Sequence, residues 1–379
     1  MGSDGIQELT MPKWGLSMTH GKVVEWLVPE GAEVSAGTEV LEVETEKIVG
    51  CVESSAAGTL RRHVAKLGQD VPIGGLLAVI ANPSVSNAEI DRFVESFSLE
   101  EASDDSVSDD PAPEFVEARG RRLRYLKLGE GGQPVVLVHG FTGSLDNWLF
   151  NHAALAQQRA VYALDLPGHG QSSKDVGDGS LEMLIGALQD WLDVLGLSRV
   201  HLVGHSLGGA VVLGMALRSP DRVRSCTLIA SAALGPEIDA EYIEGVVEAN
   251  RRKELKTYLA RLFADPSRVT RQLADDMLKF KRLDGVRDAL GKLARNFVAN
   301  EKQVAVFRKE LERLRSPTQV IWGENDQIIP SSHAADLPDQ ISVELLANCG
   351  HMVQMESAHK VNQLVLSFLE KTDERFVTT

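Results

Sequence analysis

Gly204-His205-Ser206-Leu207-Gly208 directly follows the apolar run Val200 to Val203 and precedes a helical stretch from Gly209 to Leu217. A strand, a sharp turn and a helix in that order lift a serine out of the chain, and the flanking glycines permit the strained turn. A serine hydroxyl is a weak nucleophile, so it needs a base and an acid that orients the base. Both occur, in the chain order Ser, Asp, His. Asp326 lies in Trp322-Gly323-Glu324-Asn325-Asp326, just after the run Thr318 to Trp322, and so in a loop at a strand's C-terminal end. Its rivals Glu324 and Asp336 are placed worse. His351 lies in Asn348-Cys349-Gly350-His351-Met352, after Val343-Glu344-Leu345-Leu346. His139, His169 and His205 flank the same region and read as packing residues. His139-Gly140-Phe141-Thr142-Gly143 follows the run Val135 to Val138, where the backbone N–H of Phe141 can join that of Leu207 in holding a tetrahedral oxyanion. Ser206, His351, Asp326, Phe141 and Leu207 would together perform acyl transfer through an acyl-serine.

A second reactive position lies near the N-terminus. Alternation in Glu39-Val40-Leu41-Glu42-Val43-Glu44 resumes in Ile48-Val49-Gly50-Cys51-Val52, so Thr45, Glu46 and Lys47 form a turn. Lys47 is therefore expected at an exposed hairpin tip. The surrounding segment repeats at an offset of 37 residues: Gly31-Ala32-Glu33-Val34 with Gly37 matches Gly68-Gln69-Asp70-Val71 with Gly74. Two similar halves, with strands expected at Gly21 to Val28, Glu39 to Glu44, Lys47 to Ser54, Gly58 to Lys66 and Leu76 to Ala81, predict a small quasi-symmetric all-β domain over residues 1–81.

The elements that must position Ser206 follow from the pattern after Phe115. Apolar runs at 135–138, 160–164, 200–203, 226–229 and 318–322 alternate with helical sequence, which describes a mostly parallel sheet buried on both faces. The fold class of residues 115–379 is α/β. Between Leu234 and Arg315 the strand pattern gives way to charged amphipathic helices, expected to form a cap over one end of the sheet. Residues 82–114 join the two domains. They hold 1 basic and 10 acidic side chains and include a run rich in Ser, Asp and Pro, which predicts an extended, self-repelling linker. Ile90, Phe93, Val94 and Phe97 fall at helical spacing within it, with Ser86 or Asn87 as cap.

The 379 residues carry a net charge of −15, and the field of such a chain repels phosphates, so nucleic acid is not an expected partner. The acidity is uneven: residues 1–81 carry −5, the linker −9 and residues 115–379 only −1. With 43% apolar and 25% charged residues the composition is that of a folded globular protein. Cys51, Cys226 and Cys349 are odd in number and far apart, which argues against a disulfide framework or a zinc site and for a reducing, cytoplasmic setting. No signal peptide, no membrane-spanning run and no metal site are expected.

Through His139-Gly140, Asp165-Leu166-Pro167-Gly168-His169-Gly170-Gln171-Ser172, Gly204 to Gly208, Trp322 to Pro330 and Gly350-His351, residues 115 to 372 resemble the α/β-hydrolase superfamily. Residues 6 to 81 resemble the lipoyl domains of 2-oxo acid dehydrogenase complexes, through Met11-Pro12, Gly31, Glu44-Thr45-Glu46-Lys47 and Gly58-Thr59. That second resemblance implies lipoate in amide linkage on Lys47. A biotin acceptor would have methionines beside the lysine, where this chain has Glu46 and Ile48. As a whole the chain resembles the lipoyl-plus-hydrolase subunits of acetoin dehydrogenase complexes. The usual acyltransferase motif H-x-x-x-D-G is absent, since Phe280 stands where its His belongs before Asp284-Gly285, and no subunit-binding domain fits between Asn82 and Glu114. The resemblance implies acetyl transfer from the dihydrolipoyl arm to coenzyme A. It also implies a thiamine-diphosphate-dependent enzyme and a flavin-dependent dihydrolipoyl dehydrogenase as partners, within a homo-oligomeric complex without a membrane partner. No Walker motif or complete dinucleotide fingerprint marks a coenzyme A site. Two other readings stay open: a thioesterase or ester hydrolase that carries a lipoyl domain, and a carrier and assembly subunit whose hydrolase fold is a scaffold.

Overall fold

The computed structural model describes residues 5–14, 18–45, 49–101 and 111–377. The chain divides into two units, Met1–Asp110 and Pro111–Thr379.

The first unit is built from short strands. They are β1 (Ile6–Thr10), β2 (His20–Trp26), β3 (Glu33–Val34), β4 (Glu39–Glu44), β5 (Val49–Glu53), β6 (Gly58–His63), β7 (Asp70–Pro72) and β8 (Leu76–Ala81). They form two four-stranded antiparallel sheets, ordered β1-β8-β6-β3 and β5-β4-β2-β7. Met11, Val23, Val40, Val43, Leu60 and Leu77 fill the core between them. The internal repeat has a backbone cause: Gly31 and Gly68, at matching positions, take φ of +90° and +78°, and Gly37 and Gly74 take +85° and +81°. Sequence patterning missed β1, β3 and β7; β3 and β7 have only two and three residues, too few for a period to show.

Residues 82–114 do more than link. A helix, α1 (Asn87–Glu101), starts at a capping box in which Ser86 N donates to Glu89 Oε2 at 2.9 Å and Glu89 N donates to Ser86 Oγ at 3.3 Å. Ile90 is fully buried against Leu76 and Val79, with Phe93, Val94 and Phe97 packed around them. Arg61 donates to the carbonyls of Asn82 and Val85, each at 2.9 Å. The helix is thus bound to the β unit, and the expected linker is shortened by that amount. Residues 102–110, the most acidic part of it, lie outside the described residues.

The second unit has one eight-stranded sheet. Its strands are β9 (Glu114–Ala118), β10 (Arg121–Leu128), β11 (Val135–Val138), β12 (Val161–Leu164), β13 (Val200–His205), β14 (Val223–Ile229), β17 (Thr318–Gly323) and β18 (Ile341–Leu346). Across the sheet they run β18-β17-β14-β13-β11-β12-β10-β9, with β9 and β10 antiparallel to their neighbours and the rest parallel. All four residues of β11 and all six of β13 are buried, as a strand covered by helices on both faces requires. Helices α2 (Leu181–Val194) and α3 (Leu207–Arg218) follow β12 and β13.

The chain between β14 and β17 forms the cap: α4 (Ala240–Glu248), α5 (Arg252–Leu259), α6 (Arg271–Lys281) and α7 (Val286–Phe297). The cap also holds a two-stranded ladder, β15 (Val298–Ala299) with β16 (Lys302–Gln303), where the sequence pattern indicated helices alone. A final helix, α8 (Ala358–Val377), closes the chain.

Candidate active site

Ser206 sits between β13 and α3 with φ +53° and ψ −118°, a conformation that side chains other than hydrogen strongly disfavour. The neighbouring glycines explain how the chain reaches it. A Cβ on Gly204 would lie 2.4 Å from the Gly208 carbonyl oxygen, and a Cβ on Gly208 only 2.2 Å from that of Val138. The turn is held on both sides: Ser206 N donates to Ile229 O at 3.0 Å, and Ser206 O accepts from Ala232 N at 3.0 Å. Leu207 is the first residue of α3, so its N–H has no partner within the helix.

The loop after β11 meets this turn directly. A Cβ on Gly140 would stand 2.9 Å from the Ser206 Cβ, so glycine is what lets the two segments touch. Phe141 follows it. The loop's shape comes from buried polar bonds: His139 Nδ1 donates to Gly140 O at 2.8 Å, and its Nε2 accepts from Leu166 N at 3.0 Å. Asp165, fully buried, accepts from Leu145 N at 2.7 Å and Gln171 N at 2.9 Å. Burial drives the pKa of His139 below the ordinary histidine value and those of His169 and His205 well below it. All three are neutral packing groups at physiological pH.

Asp326 follows β17 and is anchored by four donors. Its Oδ1 accepts from Ile328 N at 2.8 Å and Ile329 N at 3.0 Å; its Oδ2 accepts from Trp322 Nε1 at 3.0 Å and faces His351 Nδ1 at 2.8 Å. The side chains of both His351 and Asp326 are almost wholly enclosed, so the pair is shielded from water. His205 Nε2 donates to the His351 carbonyl at 2.9 Å, and the two rings lie 4.8 Å apart. Among the described residues Ser206 Oγ makes no hydrogen bond to His351, a contact that often tightens only when substrate is bound. The structure thus gathers Ser206, Phe141 and Leu207 at the C-terminal ends of β11 and β13, and Asp326 with His351 at the end of β17.

Leu207 also lines a small apolar cavity of about 20 Å³, shared with Leu184, Ala233 and the cap residues Leu293 and Phe297. Lys47 lies outside the described residues. The strand ends that flank it, Glu44 and Val49, are register partners, so the chain between them joins two adjacent strands. Two groups that sequence reasoning missed also shape the site: the Trp322 indole and the Glu356 carboxylate. Trp322 was visible only as an apolar strand residue, and nothing in the spacing marks Glu356.

The sequence matches the alpha/beta hydrolase fold family over residues 133–358 and a family described as biotin-requiring enzyme over residues 7–80. It is 50% identical, over 97% of its length and 99% of the relative's, to the dihydrolipoyllysine-residue acetyltransferase component of the acetoin cleaving system of Pseudomonas putida. The corresponding component from Cupriavidus necator is 42% identical over 97% of this chain and 98% of its own. The chain belongs to this acetyltransferase family. Its hydrolase unit is also similar to a meta-cleavage product hydrolase from Pseudomonas fluorescens IP01, with a TM-score of 0.62 and 25% identity over 68% of this chain and 97% of that one. Members of the acetyltransferase family thus combine a lipoyl-type β domain with an α/β-hydrolase fold. Among the described residues of this member, no helix is long and apolar enough to cross a membrane.

Proposed function

We propose that this chain transfers an acetyl group from S-acetyl-dihydrolipoyl-lysine to coenzyme A within an acetoin cleaving system, and that Ser206, His351 and Asp326 carry out the transfer. The observation that carries this reading is the buried His351–Asp326 pair at 2.8 Å in the same unit as a serine held at φ +53°. Lipoate bound as an amide of Lys47 would supply the thioester carrier. The domain division that serves it is a lipoyl unit, an acidic connection and a capped catalytic unit, which together raise the effective concentration of donor at the site.

The steps follow from the residues. His351 Nε2 takes the Ser206 Oγ proton as the oxygen attacks the thioester carbonyl. Asp326, which accepts from His351 Nδ1, fixes the tautomer that leaves Nε2 free to accept and stabilises the imidazolium that forms. The N–H groups of Phe141 and Leu207 receive the oxyanion. Collapse expels the thiolate, protonated by His351, and leaves acetyl-Ser206. The thiol of coenzyme A then gives its proton to His351 and attacks the ester carbonyl, releasing acetyl-coenzyme A and restoring the serine. Ser206 and His351 are both buried, and transfer in place of hydrolysis requires that the site keep water from acetyl-Ser206 until the thiol attacks. A thiamine-diphosphate-dependent enzyme would load the arm and a flavin-dependent dihydrolipoyl dehydrogenase reoxidise it, in a homo-oligomeric cytoplasmic complex.

The test supplies S-acetyl-dihydrolipoamide and coenzyme A to the wild type and to Ser206→Ala. Acetyl-coenzyme A formed by the first and lost in the second is the expected result. Acetate alone would make the unit a hydrolase, and equal rates in both proteins would make it a scaffold.

A further inference from the structure

The cap and the loop that bears His351 are joined by hydrogen bonds that the reaction as proposed does not use. The Leu262 carbonyl accepts from His351 N at 2.9 Å and from Met352 N at 3.1 Å. Beside them, one carboxylate spans the same junction: Glu356 Oε1 accepts from Ala264 N at 2.7 Å, and Glu356 Oε2 accepts from Gly350 N at 2.7 Å. The fit is tight. A Cβ on Gly350 would lie 2.7 Å from Ala264 N and 2.8 Å from the Phe263 carbonyl carbon, so cap backbone rests directly on the residue before His351.

Glu356 is 8% exposed, and a carboxylate taken from water to that degree needs strong compensation. Burial pushes its pKa above the ordinary carboxyl range, and the Ala264 and Gly350 amides draw it back down. Both oxygens are therefore committed to holding two chain segments together. Neither contacts Ser206, Asp326 or the His351 ring.

We propose that Glu356 is a positioning residue that makes a seated cap the condition for a correctly placed His351. The segment Leu262 to Ala264 cannot lift from the loop without releasing His351 N and Met352 N and breaking the Ala264 N–Glu356 bond, which leaves Glu356 held to Gly350 alone. In that way cap opening, which must admit donor and coenzyme A, disarms the base, and cap closure restores it. The inference rests on the reading in which His351 serves Ser206.

Glu356→Ala and Glu356→Gln, made in the full-length chain, test it. Three quantities are measured: acetyl transfer from S-acetyl-dihydrolipoamide to coenzyme A, the rate at which a fluorophosphonate labels Ser206, and the melting temperature. Displacing a catalytic group by about 1 Å can cost about 100-fold, so E356A is expected to lower kcat by about 10- to 100-fold. Its KM values should stay within about threefold, and labelling should slow in parallel with kcat, since the lesion lies in the base rather than in binding. E356Q keeps one acceptor and the side-chain shape, so it should fold if the alanine variant does not, and should lie between it and the wild type in both rates.

The proposal is overturned if a folded E356A, or E356Q where the alanine variant does not fold, keeps kcat and labelling rate within about twofold of the wild type. It is equally overturned if KM rises while kcat holds. Failure of the underlying reading has a different signature, because then wild-type Ser206 is not labelled, or Ser206→Ala retains full transfer.

Discussion

The indole Nε1 of Trp322 donates to Asp326 Oδ2 at 3.0 Å, on the same oxygen that stands 2.8 Å from His351 Nδ1. Asp326 is thereby locked in rotation by a residue four positions earlier on β17. Trp322→Phe keeps the buried ring but removes the donor, a loss of about 1 kcal/mol in orientation, and should lower kcat by about fivefold. Asp326→Asn presents an amide to donors that require an acceptor and favours the wrong histidine tautomer, so kcat should fall by about 10³- to 10⁴-fold. Acetyl-coenzyme A formation under saturating donor measures both, and a smaller loss in Asp326→Asn than in Trp322→Phe would contradict the assignment.

The backbone of Ser206 stores strain, and strain can be released. Ser206→Gly should stabilise the second unit by about 1 kcal/mol, while Ser206→Ala, which keeps the Cβ at φ +53°, should not. In a unit of this size that gain corresponds to about 2–4 °C in melting temperature. Both variants should be inactive in transfer. Equal melting points for the glycine and alanine variants would show that the turn carries no strain.

Lys47 and Ser206 serve separate units, so their losses should separate. Lys47→Ala should remain at the unmodified mass after expression with a lipoylating system and should fail to support acetyl transfer through the assembled complex. With free S-acetyl-dihydrolipoamide as donor it should match the wild type within about twofold, because the chemistry lies elsewhere. Loss of transfer from the free donor would place Lys47 in the chemical step itself.

The cavity beside Leu207, about 20 Å³ and apolar, has room for a group of methyl size, since one water needs about 10–15 Å³. Longer acyl chains should be rejected, each methylene costing about 1–3 kcal/mol in kcat/KM. Phe297→Ala or Leu293→Ala opens the cap side of the cavity and should raise butyryl transfer relative to acetyl transfer by about tenfold or more. An unchanged ratio, read from competition between acetyl and butyryl donors, would remove this cavity from the acyl site.

Burial of His152 and of His201 lowers each pKa to about 4, against an ordinary value near 6.5. The unfolded chain binds these protons first, so the stabilisation is complete above about pH 6.5 and is lost as pH falls toward 4. Each group contributes on the order of 3 kcal/mol across that window. Glu356, whose pKa burial raises, acts in the opposite sense over part of it. Urea midpoints of the second unit should therefore fall between pH 7 and pH 5, and His152→Gln, which can still donate to the Val161 carbonyl, should flatten the slope. Midpoints that do not change with pH would refute this.

Much of this protein is legible in its local motifs. The pentapeptide around Ser206 is legible because strand, glycine turn and helix are local, and the parallel sheet because strands buried on both faces read as unbroken apolar runs. The small β domain is legible from its repeated glycines, which a fixed backbone conformation demands at Gly31 and Gly68. Strands β9 and β10 escaped notice because they form an antiparallel edge rich in arginine, and α1 read as part of a linker because nothing local says that Ile90 packs on Leu76.

The sequence by itself determined which residues can react, the order in which they occur and the classes of element that hold them, because these depend on residue type and short-range spacing. Tertiary structure alone decided how the site is held. Ala264 and Glu356 are 92 positions apart, and Asn151 and Asn362 bond across 211. Such pairs arise where loops from different elements converge, and no periodicity along the chain encodes which carboxylate will meet which amide. The partner of Asp326 could be guessed from type and order, whereas the clamp at Gly350 required the cap to be folded onto it.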